Sequence, residues 1–325
     1  MTHYKDGYQS IYLFYTDVDL PPDFENGYSK YQRFRKLTTS GKGELQTCFD
    51  ESLGRTVVYK SLRPDLADNV RERRRFLREA RIAAQLQHPN TVPVYEIGRD
   101  PQGSLYYTMK RVVGRNLFEI LVSLYRQDAD TVGAFPFDRL LDILVQACDA
   151  LAYAHAHGVI HRDIKPENIL VGQFGEVMLL DWGIAKVWGM PNEDRDAEVA
   201  MSDAELTAPG ERPGTPLYMS PEQVLGNRYL DERTDVYSVG VVLYEMLTFS
   251  LPFQGRTLRA SFEKIVSAEL EPPRTRAPGR QIPPAIEAIC LKAMARSPHD
   301  RYHSIREMTH QIQNYRYPSA ARSNP

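Results

Sequence analysis

The chain has 325 residues, of which 42% are hydrophobic and 25% charged, so it has the composition of a globular protein with length for a sizeable core. Its net charge of -2 provides no overall basic field, which argues against nucleic acid as a partner. Three scattered cysteines (Cys48, Cys148 and Cys290) fit core positions rather than a disulfide framework or a zinc site. Neither a signal-peptide pattern nor an apolar run of roughly 20 residues is present, so we expect a cytoplasmic protein without a membrane segment.

The first 30 residues match no catalytic motif, and their aromatic cluster at residues 11–15 is interpreted as a packing arm or as a partner-binding segment. From Tyr31 onward, short apolar runs with turns predict a small antiparallel sheet. Residues 37–45 contain Gly41 and Gly43 and predict either a plain hairpin turn or a loop whose backbone approaches phosphates. The strand-like run at residues 55–60 ends in a lysine.

An arginine-rich helix is predicted over residues 68–87, and it carries Glu79 beside a buried apolar stripe. Strands at residues 92–97 and 105–110 follow, and residues 110–113 are expected to link two domains. Apolar helices at residues 118–125 and 137–157 then predict a second, mainly helical domain. His155 and His157, near the end of the second of these helices, are interpreted as packing and helix-end residues.

A charged loop at residues 161–170 follows these helices and contains Asp163, Lys165 and Asn168. A carboxylate can accept a proton from a hydroxyl, a lysine can neutralise a phosphoryl group, and an amide oxygen can bind a metal ion. A strand at residues 177–180 leads directly to Asp181. A polar turn would account for the loop alone, so the prediction depends on the motifs that surround it.

These motifs, in this order and spacing, resemble the bacterial eukaryotic-like Ser/Thr protein kinases from about residue 31 to residue 315. The resemblance implies an α+β fold with two lobes, a small antiparallel sheet lobe with one helix and a larger mainly helical lobe. The implied divisions are an N-terminal extension (1–30), the small lobe (31–113), the large lobe (114–316) with an activation segment (181–222), and a flexible tail (317–325).

The resemblance also implies roles for the charged residues. Asp163, Lys165, Asn168 and Thr215 would be catalytic, and Asn168 and Asp181 would hold Mg²⁺, with Mn²⁺ as an alternative ion. ATP would be the cofactor. The expected nucleotide contacts are Leu37, Gly43, Leu45, Val58, Lys60, Glu79, Met109 and Leu170.

Several positions depart from the family pattern, among them Ser220, which stands where alanine is usual. Thr38 and Ser40 stand where glycines are usual, Val58 stands where alanine is usual, and Trp182 replaces the usual phenylalanine. A pseudokinase that acts as a nucleotide-binding scaffold is therefore kept as an alternative. A kinase for small molecules is disfavoured by the motif at residues 214–222, which resembles a protein-substrate platform.

Further family features concern support and regulation. Glu222 is expected to pair with Arg301, and Asp235 is expected to accept bonds from the backbone of the charged loop. After an acidic stretch at residues 192–205, Thr207 lies eight residues before Thr215 and matches a phosphorylated position, and Arg162 would pair with its phosphate. The implied partners are proteins with Ser or Thr acceptors and, for autophosphorylation, a transient homodimer.

Overall fold

The computed structural model describes residues 19–20, 27–39, 43–183, 185–187, 215–267 and 269–317, and for Thr39, Lys186, Val187 and Thr215 it describes the backbone only. The described strands are β1 (Tyr31–Thr39), β2 (Gly43–Asp50), β3 (Arg55–Leu62), β4 (Val94–Arg99), β5 (Leu105–Lys110), β6 (Gly114–Asn116), β7 (Val159–Ile160), β8 (Ile169–Gly172), β9 (Val177–Leu179) and β10 (Lys186–Val187). The described helices are α1 (Val70–Gln85), α2 (Leu117–Tyr125), α3 (Ala129–Ala134), α4 (Phe137–Ala156), α5 (Pro221–Val224), α6 (Arg233–Thr248), α7 (Leu258–Ser267), α8 (Pro273–Arg276), α9 (Pro284–Ala293) and α10 (Ile305–Arg316).

The small lobe is a five-stranded antiparallel sheet, in the order β1-β2-β3-β5-β4, with helix α1 against one face. Side chains alternate between the two faces of a strand, so β3 buries Val57 and Tyr59 on one face and directs Leu62 toward α1. Helix α1 begins after Asn69, whose side chain accepts hydrogen bonds from the backbone N–H groups of Arg71 and Glu72. The sheet therefore has a core on each face.

The large lobe is built around α6, in which every side chain from position 234 to position 248 is buried. A Cβ atom at Gly240 would lie 2.7 Å from Met294 Cγ and 2.9 Å from Ala293 Cβ, so the glycine allows the end of α9 to pack closely. One continuous buried cluster joins α2, α4, α6, α9 and α10. A three-stranded sheet, in the order β6-β8-β9, begins directly after residues 110–113, the interlobe linker.

The predicted α+β fold with a sheet lobe and a helical lobe is confirmed. Element ends differ by a few residues, since α1 spans 70–85 rather than 68–87 and α4 ends at residue 156 rather than 157. All three cysteines are buried, as predicted. The aromatic cluster at residues 11–15 and the tail after Tyr317 lie outside the described residues. Within the described ranges, no helix has both the length and the apolar character needed to cross a membrane.

Candidate active site

Lys60 and Glu79 meet in the cleft beneath the sheet. The Lys60 Nζ lies 2.5 Å from Glu79 Oε1, and the hydroxyl of Tyr107 donates to the same oxygen at 2.6 Å. Burial opposes the charge on Lys60, but Glu79, Tyr107 and Asp181 outweigh it and hold the pKa of Lys60 well above its usual range. Lys60 is therefore a fixed cation, and helix α1 is held close to the sheet through Glu79.

The charged loop brings three functional groups together. Lys165 Nζ lies 2.9 Å from Asp163 Oδ2, and Asn168 Nδ2 donates to the Asp163 carbonyl at 2.8 Å and to Asp163 Oδ2 at 3.2 Å. Because Nδ2 is used in these bonds, the amide oxygen of Asn168 remains as the atom that can ligate a cation. Burial and the nearby Asp181 raise the pKa of Asp163, and Lys165 opposes this rise. A carboxylate with a raised pKa suits proton acceptance.

Asp181 follows β9 and has a left-handed backbone, with φ of 61°. Its Oδ1 accepts from Gly183 N at 3.1 Å, and the neighbouring Leu180 N donates to the Asn168 carbonyl at 2.8 Å, which joins the two loops. Loss of surrounding water raises the pKa of Asp181, but Lys60 and Lys165 more than offset this and lower it below its usual value. Asp181 is thus an ionised carboxylate that is enclosed by the cleft walls but still reached by solvent.

This pair of oxygen donors fits a divalent cation that is shared with phosphates. Among the described residues, no cluster of three or more His, Cys, Asp or Glu side chains forms an all-protein metal site. Asp181 and Asn168 alone would leave most coordination positions to water and phosphate oxygens, as Mg²⁺ prefers. The residues present therefore fit the predicted ion.

The predicted nucleotide contacts of the small lobe lie on adjacent strands. Leu45 is paired with Lys60, and Val58 is paired with Met109, so these side chains share the cleft face of the sheet. Leu170 lies on β8 in the other lobe, where β8 pairs with β6 just after the interlobe linker. Two further predicted contacts, Leu37 and Gly43, lie on β1 and at the start of β2.

Residues 31–315 match the family described as Protein kinase domain. The chain belongs to the protein kinase domain family. It is similar to the Serine/threonine-protein kinase PknD of Chlamydia pneumoniae, with 38% identity over 301 residues, and to that of Chlamydia trachomatis serovar D, with 39% identity over 302 residues. Each comparison covers 88% of this chain and 31% of the relative, so the chain spans less than a third of the length of these curated relatives. The predicted membership in the bacterial eukaryotic-like Ser/Thr kinases is confirmed.

The charged loop at residues 161–170 is held in place by Asp235. Its carboxylate accepts the backbone N–H groups of His161 and Arg162, both at 2.8 Å, as predicted. It also accepts a hydrogen bond from His155 Nε2 at 2.7 Å. Local sequence patterns did not reveal this bond, because the two residues are 80 positions apart. Burial opposes ionisation of Asp235, but the bonds from His155 outweigh it and lower the pKa of Asp235. The strained backbone of Arg162, with φ of 70°, is held by these bonds.

His161 and Trp182 connect the charged loop at residues 161–170 to the segment that contains Asp181. The two rings lie 4.5 Å apart, and His161 Nε2 donates to the Leu180 carbonyl at 3.0 Å. Trp182 is 3% exposed, so the larger indole is accommodated in the core of the kinase domain. Burial lowers the pKa of His161, which favours the neutral ring, and the unprotonated Nδ1 of that ring accepts a hydrogen bond from Asp163 N at 3.2 Å.

The predicted ion pair between Glu222 and Arg301 is present and buried. Arg301 donates from both terminal nitrogens to the two carboxylate oxygens, at 2.7 and 2.8 Å, and the hydroxyl of Thr234 adds a bond at 3.0 Å. The adjacent Gln223 donates to the Arg162 carbonyl at 3.1 Å. The bonds of Glu222 therefore fix the segment after Thr215 against α6, and the bond from Gln223 fixes the same segment against the charged loop.

Other predicted residues lie outside the described part of the chain. Ser40, Thr207 and the acidic stretch at residues 192–205 belong to this group. Thr215 is described by its backbone only, at the start of a short 3₁₀ helix that ends at Tyr218. Arg162 is described, and its side chain is buried in the large lobe.

Proposed function

We propose that this kinase domain transfers the γ-phosphoryl group of MgATP to Ser or Thr hydroxyl groups of protein substrates. The observation that carries the proposal is the assembled set of charges. Lys60 is paired with Glu79, and Asp163, Lys165, Asn168 and Asp181 converge around the same cleft. A pseudokinase usually lacks one of these proton or metal ligands, whereas this chain retains all of them.

Each residue has a specific role in the proposed reaction. Lys60 orients the α- and β-phosphates, and Glu79 keeps the ammonium group in place. Asp163 orients the acceptor hydroxyl and takes its proton, while Lys165 neutralises charge on the phosphoryl group during transfer. Asp181 and Asn168 would hold Mg²⁺, which supplies electrostatic stabilisation of the phosphate oxygens when it is bound. Positioning and electrostatics account for the catalysis.

Radiolabelled ATP and a generic basic protein test this proposal, with variants that separate chemistry from binding. Asp163→Asn should abolish incorporation, because its amide cannot accept the proton, while nucleotide binding measured by calorimetry persists. Lys60→Met should also abolish incorporation. A wild-type chain that binds ATP but transfers no phosphate would favour the pseudokinase alternative. Unchanged turnover in Asp163→Asn would reject the catalytic assignment.

Regulation is proposed separately from catalysis. We infer that autophosphorylation at Thr207 activates the domain, with Arg162 as the partner of the phosphate. Transfer between two copies would require a transient homodimer, so the rate per molecule should rise with protein concentration. Phosphopeptide mapping after incubation with MgATP checks the site. Active protein without phosphate on Thr207 would reject this mechanism.

A further inference from the structure

Two residues that precede the matched kinase domain are built into its small lobe. The family match begins at position 31, but the Asp19 carboxylate pairs with Arg73 of α1 and with Arg99 Nη2 at the end of β4, the latter at 3.0 Å. Arg99 Nη2 also donates to the Leu20 carbonyl at 2.9 Å. These contacts fix the backbone at positions 19 and 20 between α1 and the sheet.

Leu20 is only 6% exposed, although it precedes the residues that match the family. It belongs to the buried cluster that fills the space between α1 and the sheet, whose other members are Leu62, Phe76, Leu77, Ala80, Leu105 and Tyr107. The Asp19 side chain is half exposed, so its ion pairs contribute little energy and mainly fix the position of the segment. Leu20 is therefore the main energetic contact.

The same cluster surrounds the residue that orients Lys60. Phe76 lies one helical turn before Glu79, and its ring centroid is 5.2 Å from that of Tyr107. Tyr107 in turn donates its hydroxyl to Glu79 Oε1 at 2.6 Å. A leucine that packs in this cluster thus stabilises the position of α1 in which Glu79 contacts Lys60.

We propose that Leu20, fixed by Asp19, is a positioning residue for phosphoryl transfer, because it holds α1 where Glu79 pairs with Lys60. The proposal rests on the proposed function, since positioning of Lys60 matters only if the domain transfers phosphate. Removal of the leucine side chain leaves a gap in the cluster between α1 and the sheet, and the helix then loses part of the packing that keeps it against the sheet. The population with a formed Lys60–Glu79 pair should fall.

The test compares Leu20→Ala with Val57→Ala, a variant that removes buried methyl groups from the opposite face of the same sheet. Leu20→Ala should lower kcat/KM for peptide phosphorylation by about tenfold, which corresponds to a competent population of about a tenth. Val57→Ala should leave kcat/KM within about twofold, and so should the volume-conserving change Leu20→Met. Equal losses in Leu20→Ala and Val57→Ala would overturn the proposal.

Hydrogen exchange provides a readout that does not depend on activity. Leu20→Ala should increase amide exchange across α1, whereas Val57→Ala should not. If the wild-type protein transfers no phosphate, the proposed function fails. Unchanged amide exchange across α1 in Leu20→Ala would then overturn the positioning role as well. If Leu20→Ala does not fold, Leu20→Val replaces it, with smaller shifts in the same directions. Wild-type values for Leu20→Val in both measurements would also contradict the proposal.

Discussion

Substitution of Asp235 by asparagine should destabilise the large lobe and impair catalysis together. Asp235 is completely buried and accepts three hydrogen bonds, one at Oδ1 from Arg162 N and two at Oδ2 from His161 N and His155 Nε2. Asparagine has a single acceptor oxygen, so its amide NH₂ must face at least one buried donor. His155 can change tautomer to accept a bond from this NH₂ group, but a backbone N–H cannot.

The magnitude follows from the number of bonds that are lost. In either amide orientation, at least one backbone N–H of the catalytic loop is left buried without an acceptor, which costs about 1–3 kcal/mol. The remaining bonds lose their charge assistance, so the total cost is about 2–4 kcal/mol. Arg162 has a left-handed backbone that is unfavourable by about 1–2 kcal/mol. When one of the two backbone bonds to Asp235, from His161 N or from Arg162 N, is lost, the backbone of Arg162 should relax and displace Asp163.

Urea denaturation and peptide phosphorylation measure the two effects. The matched control is Asp231→Asn, just before the same helix, where the carboxylate accepts a hydrogen bond from the backbone N–H of Arg233 at 2.9 Å. Asparagine keeps an oxygen that can accept this partly exposed bond, so this control should change the free energy of unfolding by less than about 0.5 kcal/mol. The reasoning is refuted if Asp235→Asn is no more destabilising than Asp231→Asn.

Three further predictions use stability and reactivity. Burial opposes ionisation of Glu222, but the hydrogen bonds from Arg301 outweigh it and lower the pKa of Glu222. The ionised form therefore stabilises the fold above the unfolded pKa near 4.3, and this contribution is lost as the pH falls. The free energy of unfolding should fall less steeply with decreasing pH in Glu222→Gln, and an identical pH profile would contradict this. Gly114→Ala should lower the free energy of unfolding by more than about 2 kcal/mol, because the new Cβ would lie 2.0 Å from the Val171 carbonyl oxygen. Gly133 has open space around it, so Gly133→Ala should be neutral or stabilising in the same thermal melts. The three buried cysteines should not react with Ellman's reagent at pH 8 until the protein is denatured, and rapid modification of the native protein would disprove their burial.

The sequence alone determined the residue chemistry and the order of the elements. Hydrophobic periodicity is a local property, so α1, α2 and α4 were predicted within a few residues of their ends. The spacing of Lys60, Glu79, Asp163 and Asp181 identified the family before any distance was known. The short helix α3 was missed because it has a single buried residue, Thr131, and thus no apolar stripe to detect.

Only the tertiary structure decided which distant residues support these motifs. The bond between His155 and Asp235 spans 80 positions, and the contact of Arg99 with Asp19 also spans 80 positions, so neither appears in a local pattern. Leu20 is in a segment without a motif, and its burial becomes evident only when α1 and the sheet enclose it. Side-chain chemistry is written in the sequence, whereas burial and electrostatic environment arise when distant segments pack together. The positioning role of Leu20 and the hydrogen bond from His155 to Asp235 therefore became evident only in the folded chain.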